Sequence, residues 1–506
     1  MRWNSSLIPM IGYIERKEET PMLTADAIKA LIEKDSATTK KRLAKVGQRY
    51  YEGDHDIKQF RILYLNKDNK LVEDNVKSNI KICHPFFTEL VDQEVQYMLS
   101  GEDGFIRSDL PELQEQLDLY FNESEDFMAT LYDVITGCIV KGFEYVFAYK
   151  NKEGRTCFQC ADSLGVVEVK EKETDDGCEY VIFHYVDRIS KDNKKITRIQ
   201  VWDSKQTWFY VQEENGRIEL DKSEKYNPVP HSLYQKPGDE AIYFVDFGFI
   251  PFFRLDHSSK QTSGLAPVKG LIDDYDLMAC GLSNNIQDMG EAYVAVKGFK
   301  GENLDELALN FKAKRMVGVG QNGDIEIKTV DIPYQARQTK LDLDEKNIYR
   351  FGMGFNAAQH GDGNITNVVI KSRYALLDLK CNKLEIRLKQ FMRKLLKVVL
   401  DEINAEHGTD YQQKDVYFRF DRETITNEAD NAQIALTEAQ KRQVEINILL
   451  DLETHLGNET TMQLVCEQLD IDYEEIKDKL PKPEPDDLFD LKTIPTVPNE
   501  EGGVIE

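Results

Sequence analysis

Long apolar runs and clustered cysteines are both missing from this chain of 506 residues. Because no run of about 18 apolar residues occurs, no membrane-spanning helix is predicted. The cysteines are not clustered as in a disulfide-rich secreted domain, so we expect reduced thiols. The apolar stretch Leu7–Ile14 is short, is interrupted by Pro9 and leads into Glu15, which makes it a poor signal peptide. An intracellular protein is therefore expected.

Motifs for catalysis and nucleotide binding are also scarce. No GxxxxGK[ST] run occurs, so a P-loop ATPase is not expected, and HExxH and GxSxG are absent too. The GxGxxG run Gly318–Gly323 precedes the strand-like Asp324–Lys328 instead of a helix, which favours a hairpin turn over a dinucleotide site. Cys157 and Cys160 form a lone CxxC, without the four ligands of a zinc site. The sequence predicts no catalytic residue, metal site or cofactor.

The chain has fewer basic than acidic residues: 64 against 90, which gives a net charge of −26. A broad basic face that binds phosphate is therefore not expected. Solubility explains such acidity, and so does a conduit along which DNA passes without sticking. The exception is Lys371–Lys397, where nine basic residues stand against Asp378 and Glu385, nine minus two or +7. This inversion indicates contact with phosphate or, as the favoured alternative, packing against an acidic face of a neighbouring subunit.

Chain length and hydropathy pattern predict several domains, since a chain of this length exceeds one compact core. The first half has a mainly helical pattern from Leu43 to about Leu99, after a helix capped by Thr24. Two further helices are predicted at 110–121 and 124–140, the second capped by Ser124. Aromatic and β-branched segments then predict antiparallel strands, at 143–149, 180–183, 199–202, 208–211 and 241–245. The predicted fold class is therefore α+β.

The second half is predicted to alternate long helices with short irregular segments. A helix at 265–292 has Pro267 in its first turn and an apolar stripe that includes Leu271, Tyr275, Met278 and Leu282. The remaining predicted segments follow in chain order: a short helix at 304–311, a hairpin of 316–319 with 325–328, a helix at 335–351, a Gly/Asn-rich loop at 352–367, the longest helix at 368–406, a strand-like run at 416–420, helices within 427–480 and a disordered acidic tail at 481–506.

Two runs in the first hundred residues resemble the N-terminal region of tailed-phage portal proteins of the siphophage type. The first is Tyr50–Ile57, YYEGDHDI. The second is Asp74–Gly101, which contains the HPFF run His84–Phe87 and then LVDQ, VQY and LSG on one helix. The resemblance continues more weakly to about residue 480. Within it, His84 is expected to be a structural hydrogen-bonding residue and not a ligand.

The resemblance implies a non-enzymatic, closed cyclic dodecamer around a channel at one capsid vertex, through which double-stranded DNA is packaged and ejected. It implies the portal order of domains: an N-terminal segment 1–44, an α+β wing 45–262, stem helix one 263–298, a clip 299–332, stem helix two 333–351, a tunnel loop 352–367, a long kinked helix with a wing strand 368–426, a helical crown 427–480 and the tail 481–506. Residues 1–21 match nothing in the family pattern, so we expect translation to begin at Met22.

The implied partners are other copies of the chain, DNA without sequence specificity, terminase, head–tail adaptor proteins, and scaffolding and major capsid proteins, with no membrane. The implied location is the portal vertex of the virion, after assembly in the host cytoplasm. Two places depart from the family pattern. Ile250-Pro251-Phe252 is not followed by an Asn pair, and Asn364–Asn367 stands where a Ser-Gly segment is common.

Polar residues of the tunnel loop and its exit are the predicted DNA contacts. Their neutral or weakly charged groups touch phosphates without holding them, and glycines let the backbone shift. The set is Asn356, Gln359, His360, Asn364, Thr366, Asn367, Lys371 and Arg373. The stripe of Leu271, Tyr275, Met278 and Leu282 is the predicted stem packing. Two alternatives stay open: a metal-dependent nuclease that processes phage DNA, and a soluble interaction scaffold.

Overall fold

The computed structural model describes most of the chain between residues 23 and 477. The described residues are 23–66, 68–74, 77–101, 104–172, 177–189, 194–214, 216–238, 241–288, 293–297, 324–328, 333–356, 367–422, 428–469, 471, 473 and 477. The chain divides into two compact units, one formed by residues up to 363 with 369–424, the other by 364–368 with 425–506. Met22, the predicted helix 304–311, the predicted strand 316–319, the GxGxxG run and the tail 481–506 lie outside the described residues.

The described residues up to 141 contain five α-helices, and two of them begin at the predicted caps. They are α1 (Ala25–Ser36), α2 (Thr39–Tyr51), α3 (Phe86–Met98), α4 (Pro111–Leu117) and α5 (Glu125–Lys141). The hydroxyl of Thr24 accepts the Ala27 N–H at 3.3 Å, and that of Ser124 accepts the Phe127 N–H at 3.3 Å. Both hydroxyls satisfy an amide that has no partner inside the helix, so both cap predictions are confirmed.

The helical pattern predicted for 43–99 is wrong between α2 and α3. A turn of 3-10 helix, Asp56–Gln59, is followed by a hairpin of β1 (Leu63–Leu65) and β2 (Leu71–Glu73). The hairpin forms because two short apolar runs flank the turn-forming Asn66–Lys70, in which Asn69 has a φ of 56°. The apolar residues of this hairpin have no helical period.

Antiparallel sheets follow, and the predicted α+β class is confirmed. The strands are β3 (Ile106–Arg107), β4 (Phe143–Lys150), β5 (Thr156–Ala161), β6 (Val166–Val169), β7 (Tyr180–Ile189), β8 (Lys195–Trp202), β9 (Gln206–Glu213), β10 (Ile218–Leu220), β11 (Val229–Pro230), β12 (Ser232–Tyr234), β13 (Tyr243–Val245) and β14 (Phe252–Asp256). One sheet has the order β10-β9-β8-β7-β6, with β11 on β9; another has the order β14-β4-β5. Ile28 of α1 joins the buried cluster of the first sheet, and α5 packs against β4 and β5.

Two long helices and a short hairpin come next. They are α6 (Lys269–Asp288), β15 (Tyr293–Lys297), β16 (Asp324–Lys328) and α7 (Tyr334–Gly352), and α6 packs against α7. The helix predicted from residue 265 starts later, at Lys269, and the predicted stem segment 263–298 contains a strand. Tyr293–Lys297 alternates aromatic and β-branched residues with smaller ones and pairs with Asp324–Lys328. The strand at 325–328 is confirmed, with a described partner that the sequence did not indicate.

The longest helix, α8 (Asn367–His407), contains 41 residues and closes the first unit together with β17 (Tyr417–Phe418), which pairs with β3. Its buried side includes Leu384, Leu388, Leu395 and Val399. The second unit contains α9 (Glu428–Asp451), α10 (Glu453–Leu456) and α11 (Asn458–Gln468), as the helical pattern predicts. Among the described residues, no helix is both long and apolar enough to cross a membrane. A kink in α8 stays a prediction.

Candidate functional site at the base of the 352–367 segment

A buried carboxylate joins the two signature runs to α6. Asp276 accepts a hydrogen bond from Nδ1 of His55 at 2.6 Å and another from Nδ1 of His84 at 2.7 Å. Nε2 of His55 lies 3.2 Å from the carbonyl oxygen of Tyr50, and the Tyr50 ring stacks on the imidazole with centroids 4.5 Å apart. Burial alone would raise the pKa of Asp276, but hydrogen bonds from the two histidines outweigh it and hold that pKa below its ordinary value.

His55 has two hydrogen-bonding neighbours. Its ring nitrogens face the Asp276 carboxylate and the Tyr50 carbonyl. The side chains of His55 and Asp276 are both fully buried, so their hydrogen bond is shielded from solvent. The prediction that His84 forms structural hydrogen bonds is confirmed, because its backbone N–H also donates to Asp276, at 3.0 Å.

A ladder of hydrogen bonds holds the extended segment 78–84 along α6. The donors are backbone amides of the segment, and the acceptors are side chains of the helix. Every second amide of the segment donates to every fourth side chain of α6. The pairs are His84 to Asp276 at 3.0 Å, Ile82 to Sγ of Cys280 at 3.2 Å, Ile80 to Asn284 at 2.7 Å and Ser78 to Asp288 at 3.0 Å. Two extended residues span about 6.6 Å and four helical residues about 6 Å, so the two repeats stay in register. The ladder explains the run before HPFF as a segment that α6 holds in place.

Helix α3, which carries the LVDQ run, holds the start of the 352–367 segment. The side-chain amide of Gln93 pairs with the backbone of Phe355: its Oε1 accepts the Phe355 N–H at 2.9 Å and its Nε2 donates to the Phe355 carbonyl at 2.8 Å. Leu90 lies so close to Gly352 and Gly354 that a Cβ on either glycine would come within 2.6 Å of its side chain. A side chain at either glycine would therefore require Leu90 to shift.

Beyond this segment, a residue of α8 contacts the same helix. The ring of Tyr374, in α8, stacks on Phe355 with centroids 5.1 Å apart and lies 5.5 Å from the ring of Tyr97 in α3. Further along α8, Nζ of Lys380 lies 2.8 Å from Oε2 of the fully buried Glu94. The chain thus leaves α3 at Phe355 and is back beside it at Tyr374. We call this arrangement the loop base: Gln93, Tyr97, Phe355 and Tyr374.

Some of the predicted DNA-contact residues lie in the described part of the chain. Asn356 is half-buried and donates from its amide to Oε1 of Glu345 at 2.9 Å. Lys371 is exposed on α8, in which Asn367 and Arg373 also lie. Gln359, His360, Asn364 and Thr366 lie outside the described residues. The loop base itself was missed, although its residues Gln93 and Tyr97 stand inside the LVDQ and VQY runs.

The predicted stem-packing residues divide into two pairs. Leu271 and Tyr275 pack against the large buried core of the first unit. Met278 lines a groove of about 330 Å³ between α6 and residues 77–80, and Leu282 is half-buried on α6. The first pair therefore acts within one subunit, while Leu282 keeps part of its surface accessible.

One group in the described residues has the composition of a metal site. Ligand atoms of His55, Cys83 and Asp276 lie within 4.8 Å of one another. The nitrogen of His55 and the oxygen of Asp276 are only 2.6 Å apart, whereas two ligands of a tetrahedral zinc ion lie about 3.3 Å apart. The geometry is that of two directly hydrogen-bonded side chains.

The CxxC lies on β5, and its geometry is that of two separate thiols. The three-residue offset along the strand puts Cys157 and Cys160 on opposite faces. Burial raises the pKa of both thiols, which disfavours the reactive thiolate. The two cysteines therefore do not form a shared redox or metal site.

Comparison with known proteins assigns the chain to a family. The model of a family described as phage portal protein, SPP1 Gp6-like, matches residues 30–460. A portal protein of Bacillus phage SPP1 is 23% identical over 82% of this chain and 82% of its own length. A portal protein of Clostridium phage phiCD119 is 25% identical over 81% of this chain and 88% of its own length. The chain belongs to this phage portal protein family, and its role is that of a portal, the connector between head and tail.

A solved structure titled as the neck of a native GTA particle, computed with C12 symmetry, has one chain that is more distantly similar. The TM-score is 0.34 at 11% identity, over 66% of this chain and 88% of the other. The assignment to the portal family rests on the family match and the two relatives, which cover most of the chain.

Proposed function

We propose that twelve copies of this chain form a closed ring whose channel is lined, at its narrowest point, by the 352–367 segment. The loop base is the observation that supports this. The chain contacts α3 at Phe355, near the start of this segment, and again through Tyr374, beyond its end, as the anchors of a loop that faces a channel would. Its glycines and amides suit weak contacts that form and break with the phosphate backbone, which carries no sequence information.

The proposed ring acts as a conduit without catalysis, at the capsid vertex of the virion, after assembly in the host cytoplasm. Its partners are terminase during packaging and head–tail adaptors afterwards, with scaffolding and capsid proteins at the assembly of the head. Portal-family membership supports these partners as a class. The α6 and α7 helices serve as the stem, residues 299–332 as the clip, and α9 to α11 as the crown.

The loop is tested by reversing charge at its exit. The double variant Lys371→Glu, Arg373→Glu should assemble into rings of wild-type size and fail to package or retain DNA, because a ring of added negative charge repels phosphate. A matched control is Lys205→Glu, Lys222→Glu, two exposed lysines of the first unit, which should package normally. Rings of the loop variant that package DNA at the wild-type rate would contradict the proposal, and loss of rings would place the two residues in a subunit contact.

A further inference from the structure

Helix α8 carries an exposed stripe that is both positive and apolar. We define the α8 stripe as Leu376, Leu379, Lys383, Ile386, Gln390, Arg393 and Lys394. At about 100° per residue, these positions fall within roughly 100° of the helix circumference. The side chains of Leu376, Leu379 and Ile386 are 42%, 49% and 64% exposed. The stripe is therefore one continuous surface and not scattered positions.

The cations of the stripe differ from other basic residues of α8. Lys380 pairs with Glu94 and Lys389 with Glu385, which accounts for part of the predicted positive segment. In the part of the chain that the structure describes, no carboxylate forms a salt bridge with Lys383, Arg393 or Lys394. Their charge is thus available to a partner on a chain whose net charge is −26.

A surface of the opposite character lies around α4 and the start of α5. The sequence from Ser108 to Val140 contains eight carboxylates and no lysine or arginine. Seven of these side chains are exposed, and all but Asp133 lie close together in sequence: Asp109, Glu112, Glu115, Glu123, Glu125 and Asp126. Leu110 and Leu119 stand among them, 43% and 44% exposed. We call this set the acidic surface, and no described cation forms a salt bridge with it.

We propose that the α8 stripe of one subunit docks on the acidic surface of the next subunit in the ring. The inference rests on the proposed ring, in which the same two different surfaces meet at every contact, as in any heterologous cyclic assembly. Opposite charge and exposed leucines on both surfaces make them complementary. DNA is the weaker candidate for the stripe, because phosphate gains nothing from contact with Leu376, Leu379 and Ile386.

The charges set the geometry of docking more than its strength. Exposed ion pairs contribute little to stability, whereas complementary charge steers association and excludes other registers. The exposed leucines and Ile386 supply the apolar area. Within one subunit, the segment 411–415 runs between the surfaces: Gln413 donates to the Arg393 carbonyl at 3.3 Å, and the Tyr411 hydroxyl lies 3.5 Å from Glu112. The test must therefore separate contacts within a subunit from contacts between subunits.

A mixing experiment makes this separation. The stripe variant is Lys383→Glu, Arg393→Glu, Lys394→Glu, and the acidic-surface variant is Glu112→Lys, Glu115→Lys, Glu123→Lys. Each variant alone should form few rings, because like charges meet at every contact. Co-expressed with different affinity tags, the two should form rings in which they alternate, because each reversed surface then meets a reversed partner and each native surface a native one. Pull-down through one tag and negative-stain images of the eluate measure this.

Controls keep the outcome decisive. The variant Lys152→Glu, Lys205→Glu, Lys260→Glu changes the net charge by the same amount as the stripe variant, at exposed positions elsewhere. It should form normal rings. Circular dichroism and thermal melting show whether each variant is folded. The neutral Lys383→Gln, Arg393→Gln, Lys394→Gln should form rings that dissociate at lower salt than wild type.

Four outcomes decide between the readings. Normal rings from either charge-reversed variant alone would overturn the inference, as would folded variants whose mixture forms none. Rings of the stripe variant that fail only in packaging would assign the stripe to DNA and overturn the subunit contact. If wild type itself formed no ring, the proposed function would fail instead.

Discussion

At the scale of single residues, the buried charge of Asp276 explains why two separated runs of the sequence occur together. His55 belongs to the first run and His84 to the second, and both donate to this one carboxylate. A buried carboxylate costs desolvation free energy unless it is hydrogen-bonded, and the two histidines supply Asp276 with three hydrogen bonds. Here they hold α2, the extended segment 78–84 and α6 together, and their loss should release all three.

Replacing Asp276 with Asn should lower the free energy of unfolding by about 1–3 kcal/mol, because it removes the buried carboxylate that accepts hydrogen bonds from His55 and His84. The depressed pKa of Asp276 makes its stabilisation present above its unfolded-state pKa, near 3.9, and lost as pH falls through the lower folded value. The difference between wild type and variant should therefore shrink below about pH 4. Denaturant titrations at several pH values measure it. The exposed Asp410 is the control, and equal losses from Asp276→Asn and Asp410→Asn would contradict the account.

Gln93 is the second residue with a testable role. Gln93→Ala removes two hydrogen bonds to the Phe355 backbone and should cost about 1–3 kcal/mol at the loop base. Hydrogen exchange at residues 353–356 should become faster, while the α6 ladder keeps its protection. Gln96→Ala, at an exposed position of the same helix, should change neither. Unchanged exchange at Phe355 in the Gln93 variant would show that stacking on Tyr374 alone holds the loop base.

At the scale of helices and strands, the sequence pattern predicts an element correctly where one of its faces is buried, because burial then sets the spacing of the apolar residues. Helices α5, α7 and α8 follow a 3.6-residue repeat of apolar positions, and strands β4, β7, β8 and β9 are rich in aromatic and β-branched residues. The α6 ladder could not be predicted from the pattern, because its acceptors differ in chemistry and share only a spacing of four residues. They are Asp276, Cys280, Asn284 and Asp288. Strand β15 could not be predicted either, because its partner is distant in sequence, as Lys297 pairs with Asp324.

The hairpin of β15 and β16 allows most of the proposed clip to be deleted while its β16 strand is kept. Because Lys297 and Asp324 are directly opposite in the ladder, residues 298–323 can be replaced by Asn-Gly, which favours a tight hairpin turn. The shortened chain should still form rings, since α6 and α7 keep their connection, and it should lose association with terminase. Co-purification with terminase measures the loss.

A second shortened hairpin is the matched control for this deletion. Leu65 and Leu71 are likewise directly opposite, in the hairpin of β1 and β2, so residues 66–70 can be replaced by the same Asn-Gly turn. This control should still form rings and still bind terminase. Terminase binding at the wild-type level by the clip deletion would place the docking site elsewhere.

At the scale of the whole molecule, a single chain has two surfaces that suit contact with another copy. The α8 stripe and the acidic surface are exposed, apolar in part and opposite in charge. Composition predicts the acidity of the chain and locates the positive segment, but it does not show which cations are paired within the subunit. That distinction needs the fold, because Lys380 and Lys383 lie one helical turn apart and only Lys380 reaches a described carboxylate.

The mass and shape of the purified wild-type chain test the central claim most directly. The account predicts annular particles in negative-stain images, with a mass by light scattering of twelve chains and a central channel wide enough for double-stranded DNA. A monomer or dimer at all concentrations and salt conditions, without annular particles, would contradict it.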